Sequence, residues 1–235
     1  MQQVEPTKAV TLEPSAKAER TRAAILAAAE QQFAKRGFVA TRLEDVAAAV
    51  DLKRAALFYH FRDKQSLYDA VLADAFGSLV ARLEEAFSAP ESVPVRIERA
   101  LEAWVDTVVA RPTLARLILR HAAEADEHPT QGMMPSADRF LSLAWSLFEQ
   151  GRKSGELKPV HDDPFHAAST VIGATVFYVA AMAPLVPNAN FQPLTPEKVA
   201  AHKRDTLRTV RLLLGIAEAA PARKKPAPRA KKKSR

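Results

Sequence analysis

The chain contains no cysteine, which excludes disulfides, thiolate metal sites and thiol nucleophiles and fits a reducing compartment. Its start, MQQVEPTKAV, places acid and proline where an export signal needs a basic segment and an apolar run, so a cytoplasmic protein is expected. Glycine is scarce, at seven residues in 235, and there is no glycine-rich phosphate loop. GxSxG, HExxH and a convincing carboxylate pair are also absent. No enzymatic activity and no cofactor are therefore expected. The histidines include His161 and His166, but a proline interrupts their segment and no ligand spacing results, so no metal is expected either.

What is present is helical. Apolar residues, which with alanine make 48% of the chain, recur at three- and four-residue steps, and no alternating strand run occurs. The spacing predicts an all-α fold. A first helix capped near Ser15 carries Ile25, Ala29 and Phe33 on one face and stops at Gly37. A second is predicted from Thr41 to Val50, opened by reciprocal capping between Thr41 and Glu44. Asp51, Leu52 and Lys53 form a turn, and Arg54 to His60 a short third helix anchored by Leu52 and Leu57. A long fourth helix, Lys64 to Phe87, bears a stripe of Tyr68, Leu72, Phe76, Leu79, Leu83 and Phe87. Beyond a break at Pro90 and Pro94, further helices are expected at 95–110, 113–125, 136–153, 164–183 and 196–217, with prolines at the joints.

Phe165 to Val186 is uncharged and long enough to cross a bilayer. Its Ala, Ser, Thr and Gly content, and the Asp162–Asp163 pair before it, favour a buried helix instead, with small residues suited to a core or a subunit interface. The last helix is its natural partner.

Net charge is +7, but eight Lys/Arg and no acid lie in Ala219–Arg235, leaving 26 basic against 27 acidic residues elsewhere. Within Ser15–Leu67 ten basic residues face six acidic ones. In TRLEDVAAAVDLKRAALFYHFRDKQSL, a short basic-aromatic helix follows a three-residue turn, the outline of a helix-turn-helix. Arg42, Lys53, Arg54 and Lys64 stand at helix N-termini, where the positive end already favours phosphate, and Tyr59 and His60 add hydrogen-bonding groups. Such charges on one helix alone read as a solvated face; the joint pattern points to DNA.

This run resembles the TetR family of regulators. The matching residues are Ile25, Ala29, Phe33, Gly37, Phe38, Thr41, Val46, Ala47, Leu57, Tyr59, Phe61, Lys64 and Leu67, about a fifth of the chain. The resemblance implies phosphate or backbone contacts at Arg42, Lys53, Arg54, Tyr59, His60 and Lys64, with Ala55, Ala56 and Phe58 against base edges. Asp51 stands where the family has a turn glycine, Lys53 where a capping serine is common, and Ala55–Ala56 where Gly-Thr is frequent. The alanines offer only methyl contacts, so specific hydrogen bonds must come from their neighbours.

The second half carries aromatic and aliphatic surface at Trp104, Leu117, Phe140, Trp145, Phe148, Phe177 and Tyr178. By residue type these are core positions. The resemblance implies instead a cavity for a small, largely apolar effector, whose binding moves the fourth helix, with Thr107, His121 and Thr175 as polar fixing points. The expected organisation is an arm (1–14), a DNA-binding domain (15–67), a ligand-binding and dimerisation domain (68–218) and a basic tail (219–235). The expected function is a homodimeric repressor on a palindromic operator of double-stranded DNA, relieved by ligand and independent of membranes. Two alternatives stay open: an architectural DNA-binding protein dominated by its tail, and a helical ligand-binding or enzymatic protein with a vestigial head.

Overall fold

The computed structural model describes residues 16–124 and 137–217, all helix, turn and loop with no strand among them. The expected arm and basic tail lie outside the described residues. Helix α1 (Ala16–Ala40) buries Ile25, Ala29 and Phe33 and is interrupted at Gly37, whose φ of 79° ends the regular helix where the sequence places its stop. One more turn follows, to Ala40.

The predicted cap at Thr41 does not form. Helix α2 (Leu43–Ala48) begins two residues later, with Arg42 at its N-cap and no side-chain cap. Thr41 is buried, and its hydroxyl donates to the Gly37 carbonyl at 2.7 Å; Glu44 pairs instead with Arg54 at 2.6 Å. A carbonyl freed by the break at Gly37 takes the hydroxyl that local capping rules assign to α2.

Asp51 adopts φ 54°, the left-handed geometry expected where glycine is missing. Helix α3 (Arg54–His60) coincides with its prediction and buries Leu57. Helix α4 (Lys64–Ser88) starts at a capping box the sequence reading passed over: Asp63 accepts from the Ser66 backbone N–H at 2.7 Å, and Ser66 Oγ accepts from Asp63 N–H at 3.1 Å. That backbone hydrogen bond, with Arg62 beside it, holds the Asp63 carboxyl below its ordinary pKa.

Helices α5 (Val93–Ala110), α6 (Pro112–Glu124), α7 (Ala137–Ser154), α8 (Phe165–Ala180), α9 (Met182–Leu185) and α10 (Pro196–Leu214) complete the fold. Pro94 sits in the first turn of α5 and does not precede the helix, because a missing N–H costs nothing there. The apolar stretch is not one buried helix either. It turns at Ala181, and Phe165, Ile172, Gly173, Ala174 and Phe177 of α8 remain exposed. No helix among the described residues is long and apolar enough to cross a membrane.

One continuous core runs from Ile25 to Ile216. In it α1 lies against α6 and α4, α4 against α5 and α7, and α8 against α6 and α10. Helix α10 ends on Gly215 (φ 59°), where a Cβ would stand 2.0 Å from the Lys158 carbonyl oxygen. Only glycine fits there, because Lys158 and Val160 donate from the α7–α8 linker to the Leu214 and Leu213 carbonyls, each at 2.9 Å.

Candidate DNA interface and effector cavity

Helices α1 to α3 form a head whose outer surface is made by α3 and the segments around it. Arg42, Lys53, Arg54, Ala55, Phe58 and Tyr59 are exposed there, and Ala56 and His60 partly so. Tyr59 is the extreme, at 83% exposure for a large aromatic side chain. A phenol carried that far out of a short helix that buries only Leu57 gains little from folding and is free to meet another surface. Arg54 lies over the Phe58 ring at 5.5 Å, and Tyr59 and His60 meet edge-on at 5.2 Å. The arrangement offers cations and hydrogen-bonding groups around a helix able to enter a major groove.

Lys64 is placed differently from the rest. Its Nζ donates to the Val39 carbonyl at 2.9 Å and lies 4.6 Å from the centre of the Phe38 ring, and burial lowers its pKa. It fastens the start of α4 to the end of α1.

The body of the protein carries a cavity of about 810 Å³, open on one side, between α4, α5, α7 and α8. Of the residues expected there, Trp104, Phe140, Trp145 and Phe148 line it, with Phe76 and Leu83. The remainder lie elsewhere. Leu117 is fully buried, but it is its neighbour Ile118 that reaches the wall. Thr107 Oγ1 donates to the Ala103 carbonyl at 2.7 Å and accepts from Arg82 at 2.8 Å. Thr175 Oγ1 stands 3.2 Å from His202 Nε2, and Tyr178 stacks on the same imidazole at 4.3 Å, so both belong to the α8–α10 contact. His121 Nδ1 lies 3.4 Å from Tyr68 Oη, at the junction of body and head.

Glu30, Arg111 and Glu124, which complete that junction, were not singled out from the sequence. Glu124 at the end of α6 accepts from the Phe38 backbone N–H at 2.8 Å, supplying an acceptor just past the break at Gly37. Phe33, Phe38 and Tyr68 interlock beside it, with centroids 4.8 and 5.1 Å from Tyr68. Burial, reinforced by Glu124, pushes the Tyr68 phenol up to about 12, and burial lowers His121. At the other end of α6, buried Glu30 of α1 accepts from Arg111 Nε at 2.8 Å and from the Thr113 hydroxyl, while Arg111 also reaches Asp74 of α4 at 2.7 Å. The two carboxylates hold Arg111 protonated far above its ordinary range.

Residues 25–71 match the family model described as bacterial regulatory proteins, tetR family. The transcriptional regulator RutR of Escherichia coli is 30% identical over 158 residues, 66% of this chain and 72% of that protein. TtgR of Pseudomonas putida is 44% identical over 55 residues, 23% of this chain and 26% of TtgR, a match confined to a short segment. Among solved structures, the ketosteroid transcriptional regulator KstR2 of Mycobacterium tuberculosis superposes with a TM-score of 0.64 at 18% identity, covering 88% of this chain and 98% of that one. A tetR-family regulatory protein from Rhodococcus RHA1 gives 0.64 at 22%, covering 85% and 99%. Those likenesses extend the fold to the whole body, which the family model does not reach. The relatives are transcription regulators and not enzymes, and with them the chain belongs to the TetR family of DNA-binding transcriptional regulators.

Proposed function

We propose that the chain is a cytoplasmic homodimeric repressor that seats α3 of each protomer in successive major grooves of a palindromic operator and lets go when a small, largely apolar molecule fills the cavity. The observation that carries this reading is the shared wall: Phe76, Leu79, Leu83 and Phe87 of the cavity all belong to α4. That helix begins four residues after α3 ends, and its start is tied through Lys64 to the head. A ligand that displaces α4 therefore displaces α3.

Dimerisation is supported by the outward side of α8 and α10, where Gly173, Phe177 and Leu212 are exposed apolar or small residues on neighbouring helices. A second copy of the same face covers them by two-fold symmetry, as in most homodimers. Two heads held that way read half-sites about 34–36 Å apart.

The test is selection of bound fragments from a random DNA pool at near-physiological salt, followed by Arg54→Ala with Tyr59→Ala. The expected result is one palindromic sequence, bound by the native chain and lost in the double variant. Enrichment of nothing, or of sequences the double variant binds equally well, overturns the reading and leaves the basic tail as the DNA-binding element.

A further inference from the structure

On the reading that α3 is the groove helix, its outer face narrows which bases it can recognise. Arg54, Ala55, Phe58 and Tyr59 are exposed. Steps of three and four residues set Ala55, Phe58 and Tyr59 on one side, away from the buried Leu57. Each base presents its own pattern in the major groove and asks for a different side chain. Adenine is matched by the paired donor and acceptor of Asn or Gln, cytosine by a carboxylate, guanine by Arg or Lys, and thymine by an apolar group against its methyl.

Helix α3, RAALFYH, carries no amide and no carboxylate, and from Arg42 to His60 there is no Asn, Gln, Ser or Thr. The nearby carboxylates of α2 are engaged within the head: Glu44 holds Arg54 at 2.6 Å, and Asp45 pairs with Arg36. Adenine and cytosine therefore find no matching side chain on the helix. Lys53 and Arg54 suit guanine, but cations are drawn to phosphate at every sequence, and the phenol of Tyr59 and the imidazole of His60 bond to many partners, phosphate included. The Ala55 methyl and the Phe58 ring have one counterpart among the base edges, the methyl of thymine. Phe58 stands 43% exposed, and Arg54, anchored by Glu44, lies over its ring at 5.5 Å and holds it at the surface.

We propose that α3 reads its half-site chiefly through thymine methyl groups, which the Ala55 methyl and the Phe58 ring meet in the major groove. The operator carries A·T pairs beneath α3, with their thymine methyls turned toward the helix. Ala55 and Phe58 are the specificity-determining residues, Arg54 and Glu44 position the ring, and the cations around them supply affinity with little discrimination.

Deoxyuridine is the probe, because it differs from thymidine by the missing methyl alone and leaves base pairing and phosphate charge unchanged. In the operator recovered from the random pool, each half-site thymine is replaced in turn, symmetrically in both halves, and binding is read by anisotropy of the labelled duplex. Loss of one buried methyl is expected to weaken binding about fourfold per half-site and about fifteenfold for the symmetric pair. With C·G at the same position, 5-methylcytosine is expected to bind more tightly than cytosine, since it returns only the methyl. In Ala55→Gly or Phe58→Ala the penalty for deoxyuridine at the matching position disappears. That readout is a ratio of two duplexes on one variant, so it does not depend on how far the substitution weakens binding as a whole.

Equal binding of thymine and uracil at every half-site position, a half-site without A·T pairs, or a uracil penalty that persists undiminished in both variants each overturns the thymine assignment. If Arg54→Ala with Tyr59→Ala abolishes operator binding while uracil costs nothing, α3 remains the groove helix and only the readout assigned to it is wrong. Recovery of no sequence from the pool overturns both the readout and the operator reading on which it rests.

Discussion

The head and the cavity are built from the same kind of helix and put it to opposite uses. In the head, α3 spends one residue, Leu57, on the core and turns nearly everything else outward, Tyr59 furthest of all. Around the cavity, α4 buries Leu72, Phe76, Leu79 and Leu83 and leaves the space beside them empty of charge. A surface that meets DNA gains from cations on long side chains, because phosphate is recognised at the solvent boundary. A site for an apolar molecule gains only by enclosure. The head is consequently short of cohesion of its own and leans on α6 and the residue before it through polar ties that include Glu30 with Arg111 and Phe38 with Glu124. If those ties carry the head, breaking them costs more than their distance from the DNA surface suggests.

The largest effect is expected at Arg111. Glu30 is 5% exposed, and its carboxylate is shared by Arg111 and Thr113. Arg111→Ala leaves that carboxylate buried with one neutral donor, and removal of one member of such a pair typically costs about 3–5 kcal/mol. Urea unfolding is the measurement, and the companion Glu30→Gln keeps the shape while removing the charge and one of the two acceptor oxygens. Arg111→Ala no more destabilised than an exposed substitution would show that the head does not depend on this tie.

Gly37→Ala comes next. Its φ of 79° is unfavourable for any residue with a Cβ, and that Cβ would fall within 1.9 Å of Glu124 Oε1. Backbone strain of this sort costs roughly 1–3 kcal/mol, and displacing the Glu124 carboxylate from the Phe38 N–H adds to it. The cost measured in a Glu124→Ala background should therefore be smaller than in the native chain. Equal costs in both backgrounds would separate the glycine's conformation from the α6 tie.

These ties were invisible in the sequence for a plain reason: 81 residues separate Glu30 from Arg111 and 86 separate Phe38 from Glu124. What was legible was local. The limits of α3, the left-handed turn residue Asp51 and the buried stripe of α4 follow from turn chemistry and from a 3.6-residue period. Local rules failed where tertiary demand intervened, as at Thr41, whose hydroxyl serves the Gly37 carbonyl and not α2. The cavity was legible in kind and off in register. Leu117 stands one residue from Ile118, which reaches the wall, and α8 is so evenly apolar that its pattern does not show which side Thr175 and Tyr178 occupy. Both turn to His202 on α10, a partner that only the folded chain brings near.

The smallest expected effect distinguishes junction from body by pH. Burial lowers the pKa of His121 below its ordinary 6.5, opposed by the nearby Glu124. His202, stacked on Tyr178, is lowered by burial as well, opposed by Asp205. An imidazole whose folded pKa is depressed takes up its proton in the unfolded chain first, so stability is full above pH 6.5 and falls as the pH drops below it. The carboxylates whose pKa values are resolved as shifted, Asp63 and Asp163, lie below their ordinary 3.8 and stay charged through that window. Urea midpoints taken between pH 7.5 and 5.5 should decline, and His121→Asn, which keeps a hydrogen-bonding partner for Tyr68, should remove part of the decline. His202→Asn should remove the rest. If His121→Asn leaves the slope intact, the pH response belongs to the α8–α10 contact alone, and the junction between α6 and the head is held by Glu124 without any contribution from imidazole protonation.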